Sequence, residues 1–350
     1  MHPDEDAIWS EAFDRLRELE DEVKRMEEFV QDRLAVTEAP GGSLPPAGFR
    51  RTCAPEPVVR LGEVPRLVSE IGRRLDGDPL EALAFTYPPG AFASGAPPER
   101  IRRACLFHHS LNTARLAMYV GLRHGYQPST VEVIGVCALV HDVGLEGISA
   151  ELFAKPGPLT AAERSTLEAH AADGAERVRR CRDLDGLLRA IVPAVVRQHH
   201  ERADGSGYPD GLDAPHIHEF AQLVALAEAY ETMVSPRPYK PAMLPHDAMA
   251  TLLLEAFGKG CPARLDRRLA TSFVRALSLY PIGSGVRLQS GELGQVVGAN
   301  PDAPDQPHVR VLRASDGSRL ERPRVIDLRD AGLAVEQAVP LPAEPAHEQQ

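Results

Sequence analysis

The chain lacks cysteine pairs, leader-like segments and long apolar runs, and it has few aromatic residues. Its five cysteines are odd in number, widely spaced and without a C-x-x-C pair, which is typical of reduced thiols in a cytoplasm. The first residues show no basic stretch followed by an apolar one, so we expect no secretory signal. No run of about 18 apolar residues is evident, so we expect a cytoplasmic protein without a membrane span.

Positive charge is also scarce, and its distribution limits the possible ligands. With 39 Lys and Arg against 50 Asp and Glu, the net charge of −11 argues against binding a nucleic acid polymer through its phosphates. Residues 1–36 carry −7 and residues 331–350 carry −3, which leaves residues 37–330 nearly neutral. A small anionic ligand is therefore compatible with the central part of the chain.

The chain does have 43% hydrophobic residues, enough for a sizeable core, and helical periodicity over most of its length. The predicted fold class is mainly α, with an all-helical central domain and a small β appendage. The pattern divides the chain into an amphipathic helix in 1–36, a Pro/Gly-rich linker in 37–57, a helical segment in 58–100, the helical domain in 101–283, a small β-barrel or meander in 284–330 and a disordered tail in 331–350.

The N-terminal helix has an apolar a/d seam of about three heptads over residues 8–34. Such a seam favours a homodimeric coiled coil. Three heptads are marginal for a coiled coil, however, and a helix packed on its own domain is equally compatible with the pattern.

Histidines are concentrated in the helical domain, where nine of the 13 lie between positions 108 and 218. One pair, His141-Asp142, ends an apolar helix beside Gly144. Its imidazole can supply one metal ligand, and its carboxylate can bridge two ions. An isolated pair of this kind is more often a capping Asp beside a packed core His.

Four further histidines extend this pattern. His199 and His200 each end an apolar row of one helix, and adjacent helical residues point about 100° apart, so the two can serve neighbouring metals. His109 and His170 face inward on their helices. Each alone is more often a core histidine, but together the residues supply the ligands of a two-metal site.

The loop that follows His200 is rich in glycine. Gly205, Gly207 and Gly211 permit tight turns and close approach of a ligand. Tyr208 could stack on a base or a ribose. A plain surface loop is the alternative interpretation of the same composition.

Five segments then occur in order: HHSLNTARLA, LVHDVG, LFAKPGPLTAAERSTLEAHAADGAE, RQHHERADGSGYPDGL and AEAYETMVSPRPYKPA. Together they resemble the HD-GYP domain, a branch of the HD-domain metal-dependent phosphohydrolases, over about residues 101–283. The resemblance implies an all-helical fold with a bi- or trinuclear site for iron, manganese or another transition metal. It also implies hydrolysis of cyclic di-GMP to pGpG or onward to GMP in bacterial signalling. The segment after Pro281 is similar to a β appendage often found behind such domains.

The resemblance also implies a set of metal ligands: His109, His141, Asp142, His170, His199, His200 and Glu228. Asp142 is the implied bridging carboxylate. Glu228 stands where the family has an Asp in a motif similar to A-D-x-Y-D-A, and Glu231 stands at that motif's second Asp. Glu is a competent ligand, but its extra methylene shifts the oxygen by more than about 1 Å.

Other positions of the resemblance concern the substrate. Arg237 and Lys240 match positions that contact phosphate in the family. Gly207, Tyr208 and Pro209 are implied to shape the guanine or ribose side of the pocket, or to present a surface to a signalling partner.

Two further positions depart from the family pattern. Leu145 replaces a lysine that helps to hold the substrate phosphate, a loss that could lower the rate on the order of 10²-fold or more. Cys105 replaces a Glu that is present in trinuclear members, so two divalent ions, iron or manganese, are expected. A weak or inactive member that binds cyclic di-GMP or a protein, as a sensor or scaffold, is the alternative to an enzyme.

In the enzymatic interpretation, the two ions lower the pKa of a bridging water and so generate a hydroxide nucleophile near neutral pH. The hydroxide attacks phosphorus in line, while the metals and Arg237 take up the developing charge. No protein nucleophile is needed.

Overall fold

The computed structural model describes residues 61, 64–75, 77, 79–83, 97–155, 157–184, 186–237, 241–257 and 262–341. The predicted helix over 8–34 and the linker over 37–57 lie outside these residues. The described part of the chain is mainly helical and ends in a small antiparallel sheet, so the predicted fold class is confirmed.

The helices are α1 (Val64–Leu75), α2 (Pro79–Ala82), α3 (Pro98–His124), α4 (Pro128–Val140), α5 (Ala150–Phe153), α6 (Ala161–Glu168), α7 (His170–Arg180), α8 (Gly186–Gln198), α9 (Glu219–Val234), α10 (Pro245–Phe257), α11 (Arg267–Leu277) and α12 (Leu328–Ala331). Short 3-10 helices cover Val143–Gly147 and Ala214–His216. The strands are β1 (Gly285–Leu288), β2 (Leu293–Gly298), β3 (His308–Arg313), β4 (Arg319–Asp327) and β5 (Val335–Val339).

Helix α3 is the central element of the helical domain and packs against α4, α9 and α11. It begins at Pro98, whose missing N–H costs nothing in a first turn. It ends at Gly125, which adopts φ 101° and donates its N–H to the Leu122 carbonyl at 3.1 Å. Because α3 is buried along most of its length, it forms a rigid support for the side chains that it carries.

Helix α4 and the turn that follows it are unusually apolar. By length and composition, Pro128–Gly147 would qualify as a membrane span, with a mean hydropathy of 1.3, although the sequence analysis found no such run. In the structure 67% of this window is buried. Contacts of α4 with α1, α3 and α8 account for its apolar surface, as in the core helices of many proteins.

The C-terminal sheet is antiparallel, with the strand order β4-β3-β2-β1-β5. Its own small core consists of Val286, Leu288, Val296, Val309, Val311 and Leu328. The sheet is open because β4 and β5 form its two edges, so the barrel form of the prediction is wrong, whereas β1 to β4 follow the predicted meander.

The prediction of a disordered tail over 331–350 is wrong for its first part, because β5 lies within it. β5 pairs with β1, with Val339 opposite Gly285 and Ala338 opposite Val286. The strand is only five residues long and lies in a stretch rich in Ala, Pro and Glu, so composition concealed its short Val335–Val339 pattern. Pairing with an existing edge, a non-local effect, is what makes this weak segment a strand.

The sheet is joined to the helical domain by specific contacts. The Ser278 hydroxyl donates to the Pro304 carbonyl at 2.6 Å, and the Arg275 guanidinium lies 3.1 Å from the Asp302 carboxylate. Ser278 has φ 79°, an uncommon conformation for a residue other than glycine. These contacts tie the end of α11 to the loop between β2 and β3.

Candidate metal centre

The structure brings all seven predicted metal ligands together from five parts of the helical domain. They lie on α3, directly after α4, at the start of α7, directly after α8, and on α9. In three overlapping groups, the ligand atoms lie within 4.8 Å of one another: His109, His141 and Asp142; Asp142, His170, His199 and His200; and His141, His199 and Glu228.

Asp142 lies between two pairs of imidazoles. Its Oδ2 atom is 3.6 Å from Nε2 of His109 and 3.4 Å from Nε2 of His141. Its Oδ1 atom is 3.3 Å from Nε2 of His170 and 3.7 Å from Nε2 of His199. A carboxylate whose two oxygens face separate pairs of ligands has the geometry needed to bridge two ions.

Three of the histidines have their tautomer fixed by the backbone. The Nδ1 atoms of His141, His170 and His199 lie 2.7, 2.6 and 2.7 Å from the carbonyl oxygen of the residue three positions earlier. A carbonyl oxygen can only accept, so Nδ1 carries the hydrogen in each ring. The lone pair of the neutral imidazole is then on Nε2, which is the atom that faces Asp142.

These Nε2 atoms also face one another. The distance is 3.2 Å between His170 and His199, and 3.3 Å between His141 and His109. Two lone pairs in such contact repel unless a cation or a proton lies between them. Imidazole and carboxylate ligands suit first-row transition metals, so the chemistry and arrangement of these donors fit metal ions.

Glu228 contributes a carboxylate with little other use in the fold. Its Oε2 atom is buried and has no hydrogen-bond partner among the described residues, and its Oε1 atom lies 3.7 Å from Nε2 of His200. A buried acceptor without a partner costs free energy, so its retention points to a cationic ligand. Although Glu228 stands where the family has an Asp, its carboxylate still lies with His141 and His199 in one group of possible ligands.

Burial and mutual proximity set the charge states of the cluster. Burial, reinforced by the neighbouring His199, holds the pKa of His200 well below its usual value, so this ring is neutral near pH 7. Burial opposes the charge of Asp142, but the facing His141 keeps the pKa of the carboxyl well below its usual value. Burial likewise opposes protonation of His141, but Asp142 raises the pKa of that imidazole to about 9. Without metal, the pair shares a proton that a bound cation would replace.

Glu231 is a functional candidate that sequence reasoning noted only as a motif position. Its Oε2 atom lies 2.5 Å from Nδ1 of His109 and 3.1 Å from Nη2 of Arg237. Burial acts against its charge, but His109 and Arg237 lower the pKa of Glu231 to about 2. Its spacing of three residues from Glu228, close to one helical turn, was the signal that could have placed both carboxylates beside the histidines.

The glycine-rich loop is fixed by a buried carboxylate that the sequence analysis did not single out. Glu201 accepts hydrogen bonds from the backbone N–H groups of Asp210, at 2.7 Å, and Leu212, at 2.9 Å. The loop thereby places the Tyr208 ring on the His200 ring, with centroids 4.6 Å apart and an angle of 29° between the planes.

Gly207 is required where the loop packs against itself. A Cβ atom at this position would lie 2.4 Å from the backbone nitrogen of Arg202 and 2.5 Å from the carbonyl oxygen of His200. Neither backbone atom can move aside without displacing the ligand-bearing segment. Gly207 and Tyr208 therefore lie directly beside His200, and Pro209 follows them in the loop.

Four further positions from the sequence analysis are placed as follows. Leu145 is buried, and its carbonyl oxygen accepts from Arg102 at 3.1 Å. Cys105 is buried and belongs to none of the candidate ligand groups in the described part of the chain. Arg237 contacts Glu231 and the Nδ1 atom of His109, and Lys240 lies outside the described residues.

Comparison with known proteins agrees with this arrangement. The family model for the HD domain matches residues 92–259, and a model described as the KOW domain associated with HD domain matches residues 285–333. Over 226 residues the chain is 30% identical to the cyclic di-GMP phosphodiesterase PA4108 of Pseudomonas aeruginosa, which covers 65% of this chain and 52% of that protein. These matches support the HD-GYP family for the helical domain. The second match describes most of the sheet but ends before β5.

Other relatives cover shorter stretches. The response regulator RpfG of Xanthomonas campestris, also named a cyclic di-GMP phosphodiesterase, is 34% identical over 40% of this chain and 36% of its own. A 3'3'-cGAMP-specific phosphodiesterase of Vibrio cholerae is 28% identical over 50% of this chain and 38% of its own. The HDGYP protein Bd1817 of Bdellovibrio bacteriovorus has a solved structure that matches with TM-score 0.39 and 18% identity over 60% of this chain and 69% of its own. The chain spans about half the length, or less, of these curated relatives.

Proposed function

We propose that the protein hydrolyses cyclic di-GMP to pGpG, GMP or both, at a centre of two divalent transition-metal ions. The observation that carries the proposal is the position of Asp142, whose two oxygens face two separate pairs of histidines. Relatives named as cyclic di-GMP phosphodiesterases support the choice of substrate.

The ligand residues would form two adjacent metal sites. His109, His141 and Oδ2 of Asp142 would hold one ion, and His170, His199, His200 and Oδ1 of Asp142 would hold the other, with Glu228 completing the set. Ions bound in this way polarise a water molecule and the phosphate oxygens. His141, His170 and His199 are held by backbone hydrogen bonds, so these three ligands would need no rearrangement before substrate arrives.

Substrate orientation is assigned to the glycine-rich loop and its surroundings. The half-buried Tyr208 is already aligned by its stacking on His200, and we assign the other face of its ring to a guanine or ribose. Arg237 and Lys240 remain the predicted phosphate contacts, although Arg237 is engaged with Glu231 in this structure. Cys105 at the position of the trinuclear Glu supports two ions, of which iron and manganese are the preferred candidates.

The alternative of a weak or inactive binding protein rests on Leu145 and Glu228, of which Glu228 still places its carboxylate among the ligand atoms. The Leu145 side chain is apolar and buried, so position 145 supplies no cation to the substrate phosphate. We infer reduced activity rather than none, since the complete ligand set would serve no purpose in a scaffold that binds no metal. Leu145→Lys should then raise kcat/KM, and a failure to do so would remove Leu145 as the cause of a slow enzyme.

A chromatographic assay tests the proposal. Purified protein loaded with iron under anaerobic conditions, or with manganese, is incubated with cyclic di-GMP and, separately, with 3'3'-cGAMP. We expect conversion of cyclic di-GMP by the wild type and none by Asp142→Ala. Metal-replete protein that turns over neither dinucleotide would contradict the proposed phosphodiesterase activity. Cleavage of 3'3'-cGAMP alone would show that cyclic di-GMP is not the substrate.

Three finer expectations remain proposals. Residues 8–34 would form a homodimeric coiled coil, the glycine-rich loop would present a surface to a signalling partner, and the protein would act in the cytoplasm. Sedimentation of the full chain against a chain that begins at residue 37 tests the first of them.

A further inference from the structure

Two side chains compete for one nitrogen of His109. Oε2 of Glu231 lies 2.5 Å from Nδ1, and Nη2 of Arg237 lies 3.1 Å from the same atom. An ionised carboxylate can only accept a hydrogen bond and a guanidinium can only donate one. The two neighbours therefore demand opposite tautomers of a neutral ring.

Only one of these tautomers can bind a metal ion at this site. When Glu231 is the partner, Nδ1 carries the hydrogen and the lone pair is on Nε2, which lies 3.6 Å from Oδ2 of Asp142 and 3.3 Å from Nε2 of His141. When Arg237 is the partner, Nδ1 accepts and the hydrogen is on Nε2, where it points into the ligand cluster. The side-chain partner of His109 thus decides whether its inner nitrogen is available.

His109 differs in this respect from the other histidines whose outer nitrogen is fixed. Those rings donate Nδ1–H to backbone carbonyls, which cannot be exchanged for donors. His109 depends on a carboxylate, and that carboxylate must be held in place. Ser235 Oγ donates to its Oε1 at 2.5 Å and Asn112 Nδ2 at 3.3 Å, while Arg237 Nη2 donates to its Oε2.

We propose that Glu231 is a positioning residue that selects the metal-binding tautomer of His109 and keeps the Arg237 guanidinium from imposing the other one. The proposal rests on the proposed metal centre for its functional meaning. In the resting protein Arg237 pairs with Glu231. Arg237 would have to leave this ion pair before it could contact a substrate phosphate.

The tautomer can be observed directly in metal-free protein by ¹⁵N-resolved NMR of the histidine rings. We expect a protonated Nδ1 on His109 in the wild type and a protonated Nε2 in Glu231→Leu, which leaves Arg237 as the polar neighbour. Glu231→Gln should retain the wild-type tautomer because an amide oxygen still accepts. His124, whose Nδ1 lies 2.7 Å from the Ser272 hydroxyl in another part of the domain, is the internal reference.

Metal affinity gives a second readout, by competition of manganese with a chelator. Loss of such an outer hydrogen bond typically costs about 10- to 100-fold in affinity, so we expect this loss in Glu231→Leu. The double variant Glu231→Leu/Arg237→Leu should regain part of it, because the competing donor is gone. Arg237→Leu alone should leave the tautomer of His109 unchanged, which keeps the test valid if Glu231→Leu fails to fold.

The proposal is overturned if His109 carries its proton on Nε2 in the wild type, if Glu231→Leu leaves Nδ1 protonated, or if Arg237→Leu changes the tautomer. These results are independent of turnover. A wild type with the expected tautomer and no cyclic di-GMP hydrolysis would contradict the proposed function and leave the role of Glu231 intact.

Discussion

At the scale of single residues, the cluster is built from groups that fit poorly in a fold without metal. Glu228 illustrates this, because its buried Oε2 atom has no hydrogen-bond partner in the described part of the chain. The close Nε2 atoms of His170 and His199, 3.2 Å apart, are a second example. Such groups cost stability in the metal-free protein and recover it when a cation binds.

Glu228→Leu should therefore have opposite effects on stability and metal binding. Removing the unpaired acceptor should raise the free energy of unfolding of the metal-free protein by about 1 kcal/mol. Manganese affinity should fall, because a ligand is lost. Denaturant unfolding and chelator competition measure the two quantities, and a metal-free protein destabilised by the substitution would show that Glu228 has a structural role instead.

Residue-scale prediction from the sequence extends as far as the motif resemblance. The seven ligand positions that the resemblance implies remain a prediction, and the structure brings their side chains within reach of one another. Glu231 and Glu201 were not identified as functional. Their roles depend on contacts with His109 and with the backbone of residues 210 and 212, which sequence spacing does not reveal.

At the scale of elements, two helical segments approach each other through glycine. A Cβ atom on Gly144 would lie 2.0 Å from the carbonyl oxygen of His170, the first residue of α7. On Gly147, in the same 3-10 helix, it would meet only the end of the flexible Arg177 side chain at 2.6 Å. The close approach at Gly144 holds His141-Asp142 and His170 in one cluster.

Gly144→Ala should consequently impair both stability and metal binding. A rigid backbone contact must give way, at a cost of about 1–3 kcal/mol, and His170 moves with it. Gly147→Ala is the matched control, since the Arg177 side chain can turn aside. Thermal unfolding and metal content after dialysis measure the effects, and equal behaviour of the two variants would refute the role assigned to Gly144.

Helix α6 offers an element-scale test of pH dependence. Lys155, together with the backbone N–H and hydroxyl of Thr160, lowers the pKa of Glu163 to about 2 in the capping box that begins this helix. A lowered carboxyl pKa contributes stability above its unfolded value of about 4.5, and the contribution is lost as pH falls toward 2.

The Tm of Glu163→Gln should therefore lie below that of the wild type at pH 7, and the difference should shrink steadily between pH 4.5 and pH 3. Paired thermal melts across this range measure it. A difference that is independent of pH would mean that the charge of Glu163 does not contribute through the cap.

At the scale of the whole molecule, the C-terminal sheet depends on a strand that composition concealed. The helical domain could be predicted because periodicity over long segments is a local signal, whereas β5 forms only by pairing with β1.

A chain that ends at residue 334 should lose this pairing and expose the edge of β1. We expect its Tm to fall by about 5 °C and aggregation to increase, whereas a chain that ends at Leu341 should match the full chain. Equal melting of all three chains would show that β5 contributes nothing to stability.

The proposed centre would hold two metal ions bridged by Asp142, and a metal titration of the whole protein measures how many ions turnover requires. Metal-free protein is titrated with manganese, or with iron under anaerobic conditions, while cyclic di-GMP turnover is followed at each addition. We expect little turnover up to about the first equivalent, a rise with the second, and a plateau near two equivalents, with no turnover by Asp142→Asn. Full turnover at one equivalent, or none at any loading, would contradict the proposed centre.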